Sequence, residues 1–115
     1  MKLASEQRGD ILIITALGDR IDAAGAIQFK DQMRELTQPD CPRVVLDLTP
    51  VAFLDSSGLG AVVAAMKALG PTRKLELSGL TPTVEKVFRL TRMDSVFTIH
   101  KSLPESLPES LRQAI

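Results

Sequence analysis

The segment Asp55-Ser56-Ser57-Gly58-Leu59-Gly60 sets a carboxylate and two hydroxyls side by side. Upstream, Arg43-Val44-Val45-Leu46-Asp47-Leu48 reads as a buried strand, and Leu59 onward reads as a helix. The hydroxyls therefore fall at a helix N-terminus, where backbone N–H groups lack intrahelical acceptors and the local field is positive. A dianionic phosphate on a serine is electrostatically favoured at such a point. Plain helix capping would need only one of the three polar side chains. The redundancy matters because the helix that follows carries Gly60, Ala61, Ala64, Ala65 and Ala68, small enough to let another surface approach closely. A phosphate added beside that patch would turn it from apolar to strongly charged. The residues point to a switch that can be phosphorylated beside a docking face.

Other chemistry fits poorly. The G-x-S-x-G elbow of serine hydrolases fails at both serines, because Leu54 and Asp55 stand where its first glycine belongs. His100 is the one histidine that could act as a base, and its place at a strand end near the C-terminus suits a structural or solvent-facing role better. No Gly-Lys-Ser/Thr follows a glycine loop, so a Walker A site is absent, and Val63 occupies the third small position that Gly58-x-Gly60 would need. The glycines are expected to serve as side-chain-free backbone at a crowded turn. Cys41 is the only cysteine and lies in the turn Pro39-Asp40-Cys41-Pro42, where a partly exposed thiol without a role is expected. One His and one Cys at this spacing assemble no metal site. The chain is expected to be no enzyme, with no catalytic residue, metal or cofactor of its own.

These residues need a frame to position them. The 115 residues fit one domain, 1–115, with 44% apolar and 24% charged residues, the balance of an ordinary soluble globule. Lys plus Arg and Asp plus Glu are equal at 14 each and aromatics are 3%, which argues against nucleic acid, since neither a positive field nor stacking platforms are on offer. No apolar run approaches the ~18–20 residues that span a bilayer, and 1–6 have no signal-peptide core, so a cytoplasmic protein without membrane contact is expected. Residues 3–7 form a weak strand candidate, Gly9-Asp10 a hairpin turn, and 11–17 a strong strand covered on both faces. Asp22 is placed to cap a helix beginning at Ala23, with Ala26, Phe29, Met33 and Leu36 at helical spacing and a stop before Pro39. In the helix after the serines, Leu59, Val62, Val63 and Met66 are expected on the core. Strands over 75–78 and 96–100 flank a third helix from Thr81-Pro82, with Val84, Val87 and Phe88 inward. Ser102-Leu103-Pro104-Glu105 repeats as Ser106-Leu107-Pro108-Glu109, and each copy fits a capping box. The sum is an α/β fold: a mixed sheet of about five strands, opened by an antiparallel hairpin and packed by about four helices.

Phe53-Leu54-Asp55-Ser56-Ser57-Gly58-Leu59-Gly60 closely resembles the signature of STAS-domain anti-sigma factor antagonists, also called anti-anti-sigma factors. Gly18-Asp19-Arg20-Ile21-Asp22 is similar to that family's Gly-x-Leu-Asp segment, Val44-Val45-Leu46-Asp47-Leu48 to its central strand, and 84–96 to its third helix and last strand. The resemblance implies partner switching. The unphosphorylated protein would bind an anti-sigma factor that is also a serine kinase of the histidine-kinase-like ATPase fold, freeing its client. That partner, with its own ATP and Mg2+, would phosphorylate Ser56, and a metal-dependent serine phosphatase would restore the binding form. Asp22 corresponds to the acidic residue before the first helix. Asp22, Ala23, Asp55, Ser57, Gly58, Leu59, Gly60, Ala61 and Ala64 are the implied contact residues. Arg20, Ile21 and the repeated Leu-Pro-Glu tail depart from the family pattern. Two other readings stand beside it: a STAS subunit bound stably to a lipid transporter's ATPase without a phosphoswitch, and a small serine hydrolase.

Overall fold

A computed structural model describes residues 2–103. The chain opens with an antiparallel hairpin, β1 (Leu3–Arg8) and β2 (Ile11–Ala16), in register Arg8↔Ile11. Its two-residue turn uses Gly9 at φ +63°, a backbone setting that glycine adopts without a Cβ clash. Then come β3 (Arg20–Ile21), α1 (Ala26–Leu36), β4 (Arg43–Asp47), β5 (Phe53–Leu54), α2 (Ser56–Leu69), β6 (Lys74–Ser78), α3 (Pro82–Leu90) and β7 (Thr98–His100), with a single 3-10 turn at Met93–Ser95 before β7. Five strands form one sheet in the order β1-β2-β4-β6-β7, antiparallel only between β1 and β2. β3 and β5 pair in parallel as a separate two-stranded sheet.

Strand alternation sorts the apolar residues onto two faces. Leu12, Ile14, Val44, Leu46, Leu75 and Leu77 join the buried residues of all three helices, among them Phe29, Met33, Val62 and Phe88, in one core. Ile11, Ile13 and Val45 lie on the other face with Leu103 against them. The expectation that β2 is covered on both sides holds. Phe88 of α3 meets Phe97 edge-to-face at 5.8 Å between ring centres, closing the β7 end of the core.

The α/β class, the five-strand mixed sheet and the N-terminal hairpin stand as expected. Among the described residues the α-helices number three, with the 3-10 turn beside them. A helix announced by the second capping box lies outside the described residues. Four details differ. Residues Ala23 and Ala24 form a turn, and α1 starts at Ala26 with Gly25 as its N-cap and no side-chain capping bond. β7 starts at Thr98 because the Val96 N–H is taken by the Met93 carbonyl at 3.0 Å. Cys41 is buried in the core at 2% exposure, so the partly exposed loop thiol is corrected. The last is α2, where Val62 is buried and Leu59, Val63 and Met66 pack half-buried against the core as expected, but Gly58, Ala61, Ala65 and Leu69 are buried with them. Small side chains turn inward here because α1 packs against α2, and close helix approach favours alanine over bulk.

Candidate functional site

Backbone pairing, not side chains, first brings the two halves of the junction together. Arg20 pairs with Phe53 and Ile21 with Leu54, and the Ala52 N–H donates to the Asp19 carbonyl at 2.7 Å. The chain thus runs from β5 into α2 directly alongside the stretch that leads from β3 into α1.

Asp55 locks this arrangement. It sits in an extended conformation as the N-cap of α2, and its Oδ1 accepts from the Gly58 N–H at 2.8 Å. Its Oδ2 accepts from the Ala23 N–H at 3.2 Å, reaching across to the other segment. One carboxylate caps the helix and ties in the 22–25 turn. Asp22 works locally, its Oδ1 accepting from the Gly25 N–H at 3.3 Å; it holds a turn and does not cap a helix at Ala23.

Because Asp55 takes the cap, Ser56 and Ser57 become the first two residues of α2 itself. Both are exposed, and neither hydroxyl makes a hydrogen bond among the described residues. Their backbone N–H groups belong to the first turn, which has no acceptor within the helix. The geometry offers a free hydroxyl in a field that favours anions.

The two glycines of this segment separate cleanly. A Cβ on Gly58 would run into the Ile21 carbonyl, so α2 lies flush on β3 only with glycine there. A Cβ on Gly60 would meet nothing within 4 Å, and Gly60 is exposed. The expected crowded-turn role therefore fits Gly58 and not Gly60. Of the residues expected on a contact surface, Ala23, Ser57 and Gly60 are exposed, and Asp22, Asp55, Leu59 and Ala64 are half-buried. Gly58 and Ala61 are buried, Ala61 at 2% exposure, on the inward side of α2. Ala64, Ala65 and Ala68 instead line a groove between α2 and α1, flanked by Lys30 and Arg34.

Phe53, the first residue of the signature and not among the implied contact residues, is 46% exposed two residues before Asp55. Its neighbours Val51 and Leu54 are buried, so inward-facing residues bracket the outward-facing ring. A large apolar side chain left in water beside an unbonded hydroxyl is a contact feature in its own right.

His100 belongs to another constellation. Its Nε2 lies 2.7 Å from Glu76 Oε1, and Arg43 grips the same carboxylate through Nε and Nη2, each at 2.7 Å. Burial pushes the Glu76 carboxyl up, but the hydrogen bonds from Arg43 and His100 outweigh it and hold the group below the usual carboxylate range. The histidine's Nε2 is engaged there, on β7 at the sheet edge. No group of three or more His, Cys, Asp or Glu among the described residues could hold a metal ion, and none of their helices is long and apolar enough to cross a membrane.

A flush strand–helix junction with a capping aspartate and free serines, set on this mixed sheet, defines the class. The STAS domain matches residues 2–106, and the chain belongs to the STAS family. The anti-sigma-B factor antagonist of Listeria monocytogenes is 30% identical over 95 residues, 82% of each chain. An anti-sigma factor antagonist from Mycobacterium paratuberculosis has a similar fold, with TM-score 0.82 at 22% identity over 94% of this chain and 92% of that one. The Bacillus cell fate determinant SpoIIAA in its phosphorylated form aligns with TM-score 0.67 at 19% identity, over 96% and 99% of the two chains.

Proposed function

We propose that this protein is an anti-sigma factor antagonist acting by partner switching. In its unphosphorylated form it docks on an anti-sigma factor that is also a serine kinase of the histidine-kinase-like ATPase fold, releasing that partner's client. Ser56 Oγ takes the γ-phosphoryl group of the kinase's Mg2+-bound ATP, losing its proton and leaving ADP, and a metal-dependent serine phosphatase hydrolyses the ester with water to free phosphate and the serine. One observation carries the reading: Asp55 already satisfies the helix cap and the cross-segment tie, which leaves the Ser56 hydroxyl exposed and uncommitted. A residue kept for capping would be bonded. Phe53, Ala23, Ser57 and Gly60 supply exposed surface around it. The names borne by the Listeria and Mycobacterium relatives support the same function.

Phosphorylation can reverse docking energetically. A ~100-fold loss of affinity corresponds to about 2.8 kcal/mol. Desolvating a dianion in an interface beside acidic catalytic groups of a kinase is of that order or larger. Within the free protein the same dianion stays solvated and faces the helix N-terminus, so the fold tolerates it. The test is incubation with the cognate kinase, ATP and Mg2+, followed by mass spectrometry of the peptide containing both serines. Label on Ser56, abolished in Ser56→Ala, is expected; label on Ser57, or none, contradicts the assignment.

A further inference from the structure

Among the described residues the five-stranded sheet has two edges, β1 and β7, and they differ in kind. β7 has three residues, whereas β1 has six, and every residue from Ala4 to Arg8 is exposed. The backbone groups of an edge strand face alternately toward its neighbour and away from it. The Leu17 N–H donates to the Lys2 carbonyl at 2.9 Å. With Leu3 opposite Ala16, the groups of Ala4, Glu6 and Arg8 therefore face β2, and those of Leu3, Ser5 and Gln7 face outward. Leu3 is stoppered, because its N–H donates to Gln32 Oε1 on α1 at 2.9 Å. Ser5 and Gln7 have no such cover, and their outward N–H and C=O groups form an open pairing edge. We propose that this edge pairs antiparallel with the β1 edge of a second copy, about a two-fold axis at Gln7, joining two sheets into one.

Charge selects the register. Outward groups must meet outward groups, so a symmetric pair along the open stretch centres on Ser5, Glu6, Gln7 or Arg8. Centring on Ser5 brings Leu3 opposite Gln7, although Gln32 already holds the Leu3 N–H, and sets Arg8 against Lys2. Centring on Glu6 opposes the two Glu6 carboxylates. Centring on Arg8 opposes the two Arg8 guanidinium groups and sets Glu6 against Asp10. Centring on Gln7 alone puts Glu6 opposite Arg8 of the second copy, and Arg8 opposite its Glu6. These opposed residues form the non-hydrogen-bonded pairs, where side chains lie closest; opposite charges there are favourable and like charges unfavourable. Glu6 and Arg8 already share a sheet face, 3.1 Å apart within one chain, so the dimer closes four charges of alternating sign. The two Gln7 exchange backbone hydrogen bonds at the axis. Ser5 comes opposite the turn at Gly9, where even an added Cβ would meet nothing within 4 Å. A second copy is favoured over a foreign strand because the charge order of β1 complements itself in this one register. The pairing uses no residue of the Ser56 junction, so a dimer would carry two separate switches.

Sedimentation velocity of the full chain over a concentration series tests this. A monomer–dimer equilibrium is expected in the unaltered protein. Glu6→Arg and Arg8→Glu, each alone, oppose like charges across the axis and should lose the dimer. Mixed in equal amounts the two variants should regain it, because every opposed pair is then Arg against Glu. Gln7→Pro removes an N–H that the β1–β2 ladder does not use. Its far-UV circular dichroism should stay unchanged while the dimer is lost. An unaltered protein that stays monomeric up to its solubility limit overturns the proposal, as does a dimer that survives in Gln7→Pro. Single variants whose mixture stays monomeric overturn it equally, and the mixture decides by itself where Gln7→Pro does not fold. None of these results depends on Ser56, so they leave the partner-switching reading to stand or fall separately.

Discussion

Asp55 accepts N–H groups from two separate stretches of chain, so its loss should exceed that of an ordinary cap. Asp55→Ala is expected to cost at least the ~1–2 kcal/mol of a cap, and to loosen residues 22–25 as well. Urea denaturation gives the first quantity and amide exchange at Ala23 the second; an unchanged exchange rate at Ala23 would deny the tie. The glycine pair makes an internally controlled experiment. Gly58→Ala forces a methyl into the Ile21 carbonyl and should destabilise by about 3 kcal/mol, the upper range of overpacking. Gly60→Ala meets open space and should stabilise by about 0.5–1 kcal/mol through helix propensity. Equal effects of the two substitutions in thermal denaturation would contradict this division. Sequence pattern marks both glycines as part of one segment. Which of them the fold requires depends on how closely β3 approaches α2, a distance no spacing along the chain encodes.

At the scale of elements, long periodic segments were legible and short ones were not. β2 and β4 announce themselves as apolar runs, and α3 as an apolar stripe with Glu85, Lys86 and Arg89 outward. β3 and β5 have two residues each, too few for alternation to register, although together they bring Ile21 beside Leu54 and build the junction. Sequence alone starts α2 at Leu59 because two serines look like loop, whereas Asp55 outside them takes the cap and draws them into the helix. Its core face is legible only in part: Val62 is buried and Leu59, Val63 and Met66 pack on the core, but the small residues buried beside them do not stand out in the sequence. Periodicity favours bulky residues as the inward set, but against a neighbouring helix the small ones can turn in, as Ala61 and Ala65 do. Ala61→Leu should therefore lower stability by about 1–3 kcal/mol through overpacking, while Ala68→Leu on the exposed side should stay within about 0.5 kcal/mol, both read from chemical denaturation midpoints.

The whole molecule is tied across its parallel strands by Arg43 on β4, Glu76 on β6 and His100 on β7. The folded state holds the Glu76 carboxyl below its ordinary value, so folding favours its ionised form. The stabilisation is complete above the unfolded-state value of about 4.3 and is lost as pH falls through the lower folded value. Glu76→Gln should reduce stability at pH 7 and flatten the fall in stability below pH ~4; an identical acid profile would contradict the assignment. The central claim concerns the Ser56 junction. It is tested most directly by titrating the cognate kinase-type anti-sigma factor with this protein, either unmodified or phosphorylated at Ser56, in a calorimeter. A loss of affinity of about 100-fold on phosphorylation, with Ser56→Ala binding like the unmodified protein, is the predicted result. Equal affinities for the two forms would contradict the claim.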